Sequence, residues 1–297
     1  MSNMGDMGDM GDMGDRGGNG LGGGGGLLPF RIDLPFDKEK PQLWRKRADG
    51  VWAWEDNAAI DLEVLPPDLT VAWTPRDWSA RWFAWAILGE FASQTAWQSI
   101  TLTPYPVDPN VVKHELQKLF RAAQDERSDA MGEIVAQNQD YEDCMAFFMA
   151  LLRISAKSHP KTCGLMHVAG LIGLLTAMHF KNKPGSQAPR PRPSQLHPAL
   201  LPAIEVPGHP AFPSGHATQA MLMALVVEQA LPAARRSSLA PYLHTLAGRI
   251  ARNREIAGLH YESDTTGGLE LAAKAFELLA SVKSFTDALT LAREEWA

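Results

Sequence analysis

Three clusters in the 297-residue chain have the residue types and spacing to bind and transform a small oxyanion. Lys183 is followed, after six intervening residues, by Arg190-Pro191; Pro213-Ser214-Gly215-His216 closes a proline-rich stretch; and Arg254 is followed after five residues by His260 and after three more by Asp264. Lys183, Arg190 and Arg254 supply three fixed positive charges. An arginine fork matches two oxygens of a tetrahedral anion and a lysine a third. Ser214 stands where a helix N-cap belongs, so its hydroxyl and the Gly215 amide face one anion, with the helix dipole favouring negative charge. Gly215 has no side chain and lets the backbone approach a ligand closely. His260 and Asp264, four apart, share one face of a helix. The carboxylate then holds the ring nitrogen it faces as a donor and leaves the other free to attack or to ligate. His216 is the candidate general acid or base.

Each piece has a plainer reading by itself. Lys183 and the arginines suit a solvated basic edge, Ser214 an ordinary cap, and His260 with Asp264 a surface pair of little energetic worth. All three clusters in this order favour a site.

The elements that must carry these residues read as helices. The pattern turns helical from Thr74, with Pro75 suited to a first turn and Trp78, Trp82, Trp85 and Phe91 near helical spacing as a core stripe. Further helices are expected over 109–125, 126–157, 160–182, 215–231, 235–257 and 260–282. Between 183 and 213 lies a proline-rich loop of the length that is usually functional. Arg254 and His260 are six apart, too far out of phase for one helix face, and Gly258 suggests a break that brings them together. Val51-Trp52-Ala53-Trp54 alternates like a short hairpin strand. The expected architecture is all-α: one helix-bundle domain, 27–297, with a long Pro-rich active-site loop, preceded by a disordered low-complexity tail, 1–26. That tail carries Met-Gly-Asp four times from Met4 to Asp15 and a glycine tract from Gly22 to Gly26.

Composition narrows the function. Lys plus Arg number 28 against 34 Asp plus Glu, a net charge of −6, which argues against nucleic acid as a partner. Two cysteines, Cys144 and Cys163, make neither a disulfide framework nor a four-thiolate zinc site. The longest apolar run, Cys163 to Phe180, just reaches spanning length. It reads as a buried core helix, in a chain of mean hydropathy −0.18, without stable membrane insertion. The N-terminus has neither the basic start nor the apolar stretch of a secretory signal, which points to the cytoplasm. The aromatic-rich segment 44–97 would cover a partner copy as readily as its own core, so a homo-oligomer is possible.

On these motifs the sequence resembles the superfamily that joins type 2 phosphatidic acid phosphatases and bacterial acid phosphatases with vanadium-dependent haloperoxidases. The resemblance covers 183–264 and rests on Lys183 to Pro191, Pro213 to His216 and Arg254 to Asp264; Asn253 stands where the signature often has serine. It implies the family's helix bundle and two chemistries at one site. As a phosphatase, His260 would be the nucleophile forming a phosphohistidine, Asp264 its orienting group and His216 the proton donor, with Lys183, Arg190, Ser214, Gly215 and Arg254 on the phosphoryl oxygens of a phosphate ester. As a haloperoxidase, the same residues would hold vanadate with His260 as its protein ligand, and Lys183 would polarise the bound peroxide that oxidises halide. His209, seven residues before His216, resembles the extra active-site histidine of bromoperoxidases. With it, the resemblance favours the vanadate-dependent branch and bromide, with a soluble phosphatase as the alternative and a non-catalytic phosphate-binding relative as the third reading.

Overall fold

Capping signals set where most helices begin. The computed structural model describes residues 44–46, 48–50, 52–54, 79–183 and 187–297, which fall into two units divided after Trp78. The tail 1–26, most of 27–75 and the expected helix start at Thr74 lie outside the described residues. In the first unit, β1 (Trp44–Lys46) pairs antiparallel with β2 (Trp52–Trp54), Trp44 opposite Trp54, as the alternation there anticipates.

The second unit is all-helical. Ser79 caps α1 (Ala80–Gln94), its hydroxyl accepting from the Trp82 amide. Asp108 and Pro109 open α2 (Pro109–Asp125), whose Asp108 carboxylate accepts from two first-turn amides. The helix expected over 126–157 is two. α3 (Arg127–Ala136) ends, and Asp140 caps α4 (Tyr141–Leu152) by accepting from the Glu142 and Asp143 amides. α5 (Pro160–Asn182) is capped from a distance: the Glu295 carboxylate accepts from the Lys161 and Thr162 amides. The Pro-rich stretch holds one turn of helix, α6 (Pro193–Leu196), and a tighter turn at Pro198–Leu200. α7 (Gly215–Ala230), α8 (Ala233–Ile256) and α9 (Glu262–Leu279) follow, and then α10 (Lys283–Glu294), which periodicity missed.

α7 is the axis of the bundle. It packs against α5, α8 and α9, and Ala217, Ala220, Leu222, Met223, Ala224, Val226 and Val227 are buried around its whole circumference. A helix apolar on all sides must be surrounded, and this is why its own sequence shows no amphipathic stripe. α5 is long and apolar enough to cross a membrane, yet about two-thirds (67%) of its most apolar window is buried. The tryptophan stripe expected in α1 is not the core face. Ala84, Ile87 and Phe91 are buried, whereas Trp82 and Trp85 lie on the helix's open side, because the inward row runs through 84, 87 and 91.

α9 meets the start of α7 at Gly268. A Cβ there would lie 2.6 Å from the Ser214 carbonyl oxygen and 2.9 Å from the Ala217 Cβ. Backbone cannot yield as a flexible side chain does. Gly268→Val is therefore expected to destabilise by about 1–3 kcal/mol, read in a thermal melt as a drop of roughly 3–10 °C for a chain of this size. A melt unchanged by the valine would show that α7 and α9 can separate freely at this point.

Candidate active site

The site forms where three helix ends meet. α8 stops at a glycine turn: Gly258 has φ +82°, its amide donates to the Glu255 carbonyl (2.8 Å), and the Leu259 amide donates back to Arg254 (3.0 Å). This is a left-handed C-terminal cap, and it turns the chain so that Arg254 and His260 come to one region. His260 thus precedes α9 instead of lying on it, and Asp264 sits in the first turn. The Asp264 Oδ2 accepts from the Tyr261 amide (3.0 Å) and faces His260 Nδ1 (3.1 Å). The same carboxylate caps the helix and orients the ring. Across the gap, the Ser214 amide donates to the Asp264 carbonyl (3.0 Å), and the Ser214 hydroxyl accepts from Ala217 at the start of α7. A Cβ on Gly215 would meet no atom within 4 Å, so the space beside this residue is open.

Asp264 fixes the state of His260. Burial pushes its carboxyl up, but the hydrogen bond and charge of His260, the Arg190 guanidinium and the Tyr261 amide outweigh it and hold it below the usual range. An ionised carboxylate only accepts, so Nδ1 carries the ring proton and Nε2 keeps a lone pair. Into that lone pair Arg192 Nη1 donates (3.1 Å). Burial first, then Lys181 and Arg192, drives His260 down to about 3, against the pull of Asp264. The ring is neutral and nucleophilic at Nε2.

His216 is half-buried at the start of α7, and its Nε2 donates to the Gln137 carbonyl (2.8 Å). Asn253 supports that contact by donating to the Gln137 side-chain oxygen (3.0 Å) and to Glu133 (3.0 Å). Burial, followed by the charge of Arg254, holds His216 at about 4, with Lys181 and Arg192 adding smaller repulsions. The same three cations therefore bear on one histidine. Arg254 is buried, donates one Nη2 bond to the Ile134 carbonyl (2.9 Å), and has Nε and Nη1 buried without a protein partner. Buried charged donors are costly to leave unpaired, and an anion is what would satisfy them.

Two of the cations read from the sequence take other places. Lys183 is exposed at the end of α5; Lys181, two residues earlier, is buried and donates to the Pro210 (2.8 Å) and Ala211 (3.0 Å) carbonyls. Two residues are about 200° of helix rotation apart, so only one of the two lysines can face inward. Burial lowers Lys181 to about 7, with Arg192 adding to the effect. Arg190 goes to the Asp264 side of the catalytic pair, bonded to Asp264 Oδ1 (2.6 Å) and Glu115 (2.7 Å). Arg192 goes to the His260 side. Its Nη1 also donates to the Leu259 carbonyl (2.9 Å), and His209 grips the rest of it, the carbonyl accepting from Nε (3.0 Å) and Nδ1 from Nη2 (3.0 Å). His209 is thereby bound to a guanidinium, and burial lowers its pKa. Sequence spacing alone passed over Lys181 and Arg192. The signal was present: Lys181 continues the buried row Ile172, Thr176, Ala177 and Phe180, and Arg-Pro occurs twice in succession at 190–193.

Among the described residues no group of three or more His, Cys, Asp and Glu side chains is arranged to hold a metal ion. No family model matches the chain. Over 85 residues it is 33% identical to a non-specific acid phosphatase of Salmonella typhi and 32% identical to a non-specific acid phosphatase of Salmonella typhimurium. The similarity covers 29% of this chain, which spans about a third (32%) of the length of each of these curated relatives.

Proposed function

We propose that this chain hydrolyses phosphate monoesters through a phosphohistidine on His260. The observation that carries the reading is Arg254, with two buried donors that no protein atom satisfies: its charge bears on His216 together with Lys181 and Arg192, and those two also bear on His260, whose Nε2 lone pair is set by Asp264. The phosphatase names of the similar proteins favour the hydrolytic branch over halide oxidation. Arg254, Lys181 and Arg192 would bind the phosphoryl oxygens together with the Gly215 amide. His260 Nε2 attacks phosphorus as the bond to the leaving oxygen breaks, and His216 gives that oxygen its proton. A water then gives its proton to His216 and its oxygen to phosphorus, the nitrogen–phosphorus bond breaks, and inorganic phosphate leaves. Arg192, which donates to Nε2 in the free protein, transfers that donation to a phosphoryl oxygen when the ring attacks.

Vanadate fits the same donors, since His260 Nε2 and the three cations suit a five-coordinate oxyanion; bound, it would supply peroxide activation. In the hydrolytic reading it is a competitive inhibitor. The test is hydrolysis of p-nitrophenyl phosphate with and without vanadate, coupled to an alkaline quench that preserves a labelled phosphohistidine. Hydrolysis inhibited by vanadate and label on His260 are expected. Bromide oxidation that depends on vanadate, with no ester hydrolysis, would overturn the reading.

The charge on His216 gives a pH dependence with a definite sign. Its pKa is held down by burial and by Arg254, and a bound anion neutralises that repulsion and raises it. Binding then takes up a proton and strengthens as pH falls. Between pH 6 and 4 Lys181, at about 7, is already charged, so the uptake falls to the histidines held down beside these cations, of which His216 is the one Arg254 bears on. Sulfate, which does not titrate there, is expected to bind up to about tenfold tighter per pH unit, and His216→Gln should flatten the slope. Calorimetry showing pH-independent sulfate binding in the wild type would remove His216 from the anion's vicinity.

A further inference from the structure

We propose that Arg190 and Glu115 form a positioning clamp on Asp264, so that Arg190 acts on the reaction through the His260–Asp264 pair and not by holding the substrate's phosphoryl oxygens. The inference rests on the phosphohistidine reading above and assigns the geometry of its nucleophile to residues of α2 and the Pro-rich loop.

Arg190 makes three hydrogen bonds within the protein, two of them to carboxylates. Its Nη1 donates to Asp264 Oδ1 (2.6 Å) and to the Ser263 hydroxyl (2.6 Å), and its Nη2 donates to Glu115 Oε2 (2.7 Å). The guanidinium lies over two rings, 3.9 Å from the Tyr261 centroid and 4.9 Å from that of Tyr105. The other Glu115 oxygen accepts from the Ser263 amide (2.9 Å) and hydroxyl (2.6 Å). Glu115 from α2 is thus tied both to Arg190 and to the first turn of α9, where Asp264 lies. Arg190, Glu115 and Asp264 are all buried. A guanidinium fork between two carboxylates and over two aromatic rings has little freedom to turn toward a substrate.

The charges show what this arrangement does. Glu115 and Asp264 together carry two negative charges and Arg190 one positive, which leaves one negative charge beside the imidazole. When Nε2 bonds to phosphorus, the ring still protonated at Nδ1 becomes cationic, and that single negative charge stands against it. With Oδ1 held by Arg190, Oδ2 alone faces Nδ1, and the ring cannot rotate without breaking its bond to a fixed oxygen. Arg192 is also bonded, but to the Leu259 and His209 carbonyls and to ring nitrogens of His260 and His209; among the described residues no carboxylate is hydrogen-bonded to it, so its charge is left for the anion.

The experiment compares wild type, Arg190→Gln and Arg190→Lys as full chains, with p-nitrophenyl phosphate as substrate and inorganic phosphate as inhibitor. Arg190→Gln is expected to lower kcat about 10²-fold, the scale of a misplaced catalytic group, while the phosphate inhibition constant changes less than about threefold, since the anion-holding cations stay in place. Its acid limb should move to higher pH. The groups facing Asp264 are His260, Arg190, Lys181, Arg192, Tyr105, Tyr261 and Glu115, and removing one positive charge among them makes the carboxylate easier to protonate. Arg190→Lys keeps the charge without the fork. It should restore the acid limb but only part of kcat, and it remains informative if the glutamine variant does not fold. An Arg190→Gln protein with kcat retained and phosphate inhibition weakened tenfold or more would overturn the clamp and make Arg190 an anion contact. Nitrogen NMR of His260 separates this from failure of the phosphatase reading. If the wild type hydrolyses no ester, a ring fixed as the Nδ1–H tautomer in wild type and released in the variant supports the clamp, and a tautomer indifferent to Arg190 overturns it.

Discussion

Hydrolysis by the His260→Ala protein is expected to fall by about 10⁴-fold or more, the scale on which removal of a nucleophile collapses a covalent mechanism. Nε2 of His260 has its lone pair set by the Asp264 carboxylate on the ring's other nitrogen and buried cations around it. The fold should survive. Asp264 keeps the Tyr261 amide and Arg190 after the ring is gone, so its charge is not left bare. Inorganic phosphate should still raise the melting temperature, because Lys181, Arg192 and Arg254 remain. Activity lost with binding retained is therefore the expected signature, measured by p-nitrophenyl phosphate turnover beside a phosphate-dependent melt. Residual turnover within tenfold of wild type would remove His260 from the covalent step.

Arg254→Met is expected to separate stability from binding in the opposite sense. In the free protein the guanidinium holds two buried donors without partners, and each such group costs about 1–3 kcal/mol. An apolar chain of similar length removes that cost and loses only the Nη2 bond to the Ile134 carbonyl. The variant's melting temperature without phosphate should rise by a few degrees, about 2–6 °C for a chain of this size. Phosphate affinity should meanwhile drop about 10²-fold, since truncating one side of a buried charge pair costs about 2–5 kcal/mol. A variant both less stable and unchanged in phosphate binding would show that Arg254 is structural.

The sequence carried different parts of this site unequally. His216 and Ser214 were legible because a cap residue before an apolar run is a local signal, and Gly258 because a positive φ at a helix end calls for glycine. The closeness of His260 to Asp264 was legible from spacing, but its cause was not: the contact comes from a first-turn capping carboxylate, not from two residues on one helical face. Lys181 and Arg192 escaped because spacing cannot tell which of two nearby lysines or arginines faces inward. Only the helical phase of α5 and the partners supplied by Glu115 and His209 decide that. The split between α3 and α4 was hidden by continuous helical periodicity across Asn138-Gln139-Asp140. α10 was missed although Phe285, Leu289 and Ala292 mark its buried face. Trp82 and Trp85 were misplaced because aromatic spacing does not reveal which side of α1 meets α5.

Because α7 is packed between α5, α8 and α9, the buried bonds of its first turn break only when the bundle opens. The Ser214 and Thr218 amides lie buried at the start of this helix, bonded to the Asp264 and Ser214 carbonyls. Hydrogen exchange there should proceed at the rate of global unfolding, while amides at the exposed end of α5 exchange through local fraying. Heat inactivation should then track the cooperative transition itself, since the fold provides no partly opened species that keeps its helices while surrendering this turn.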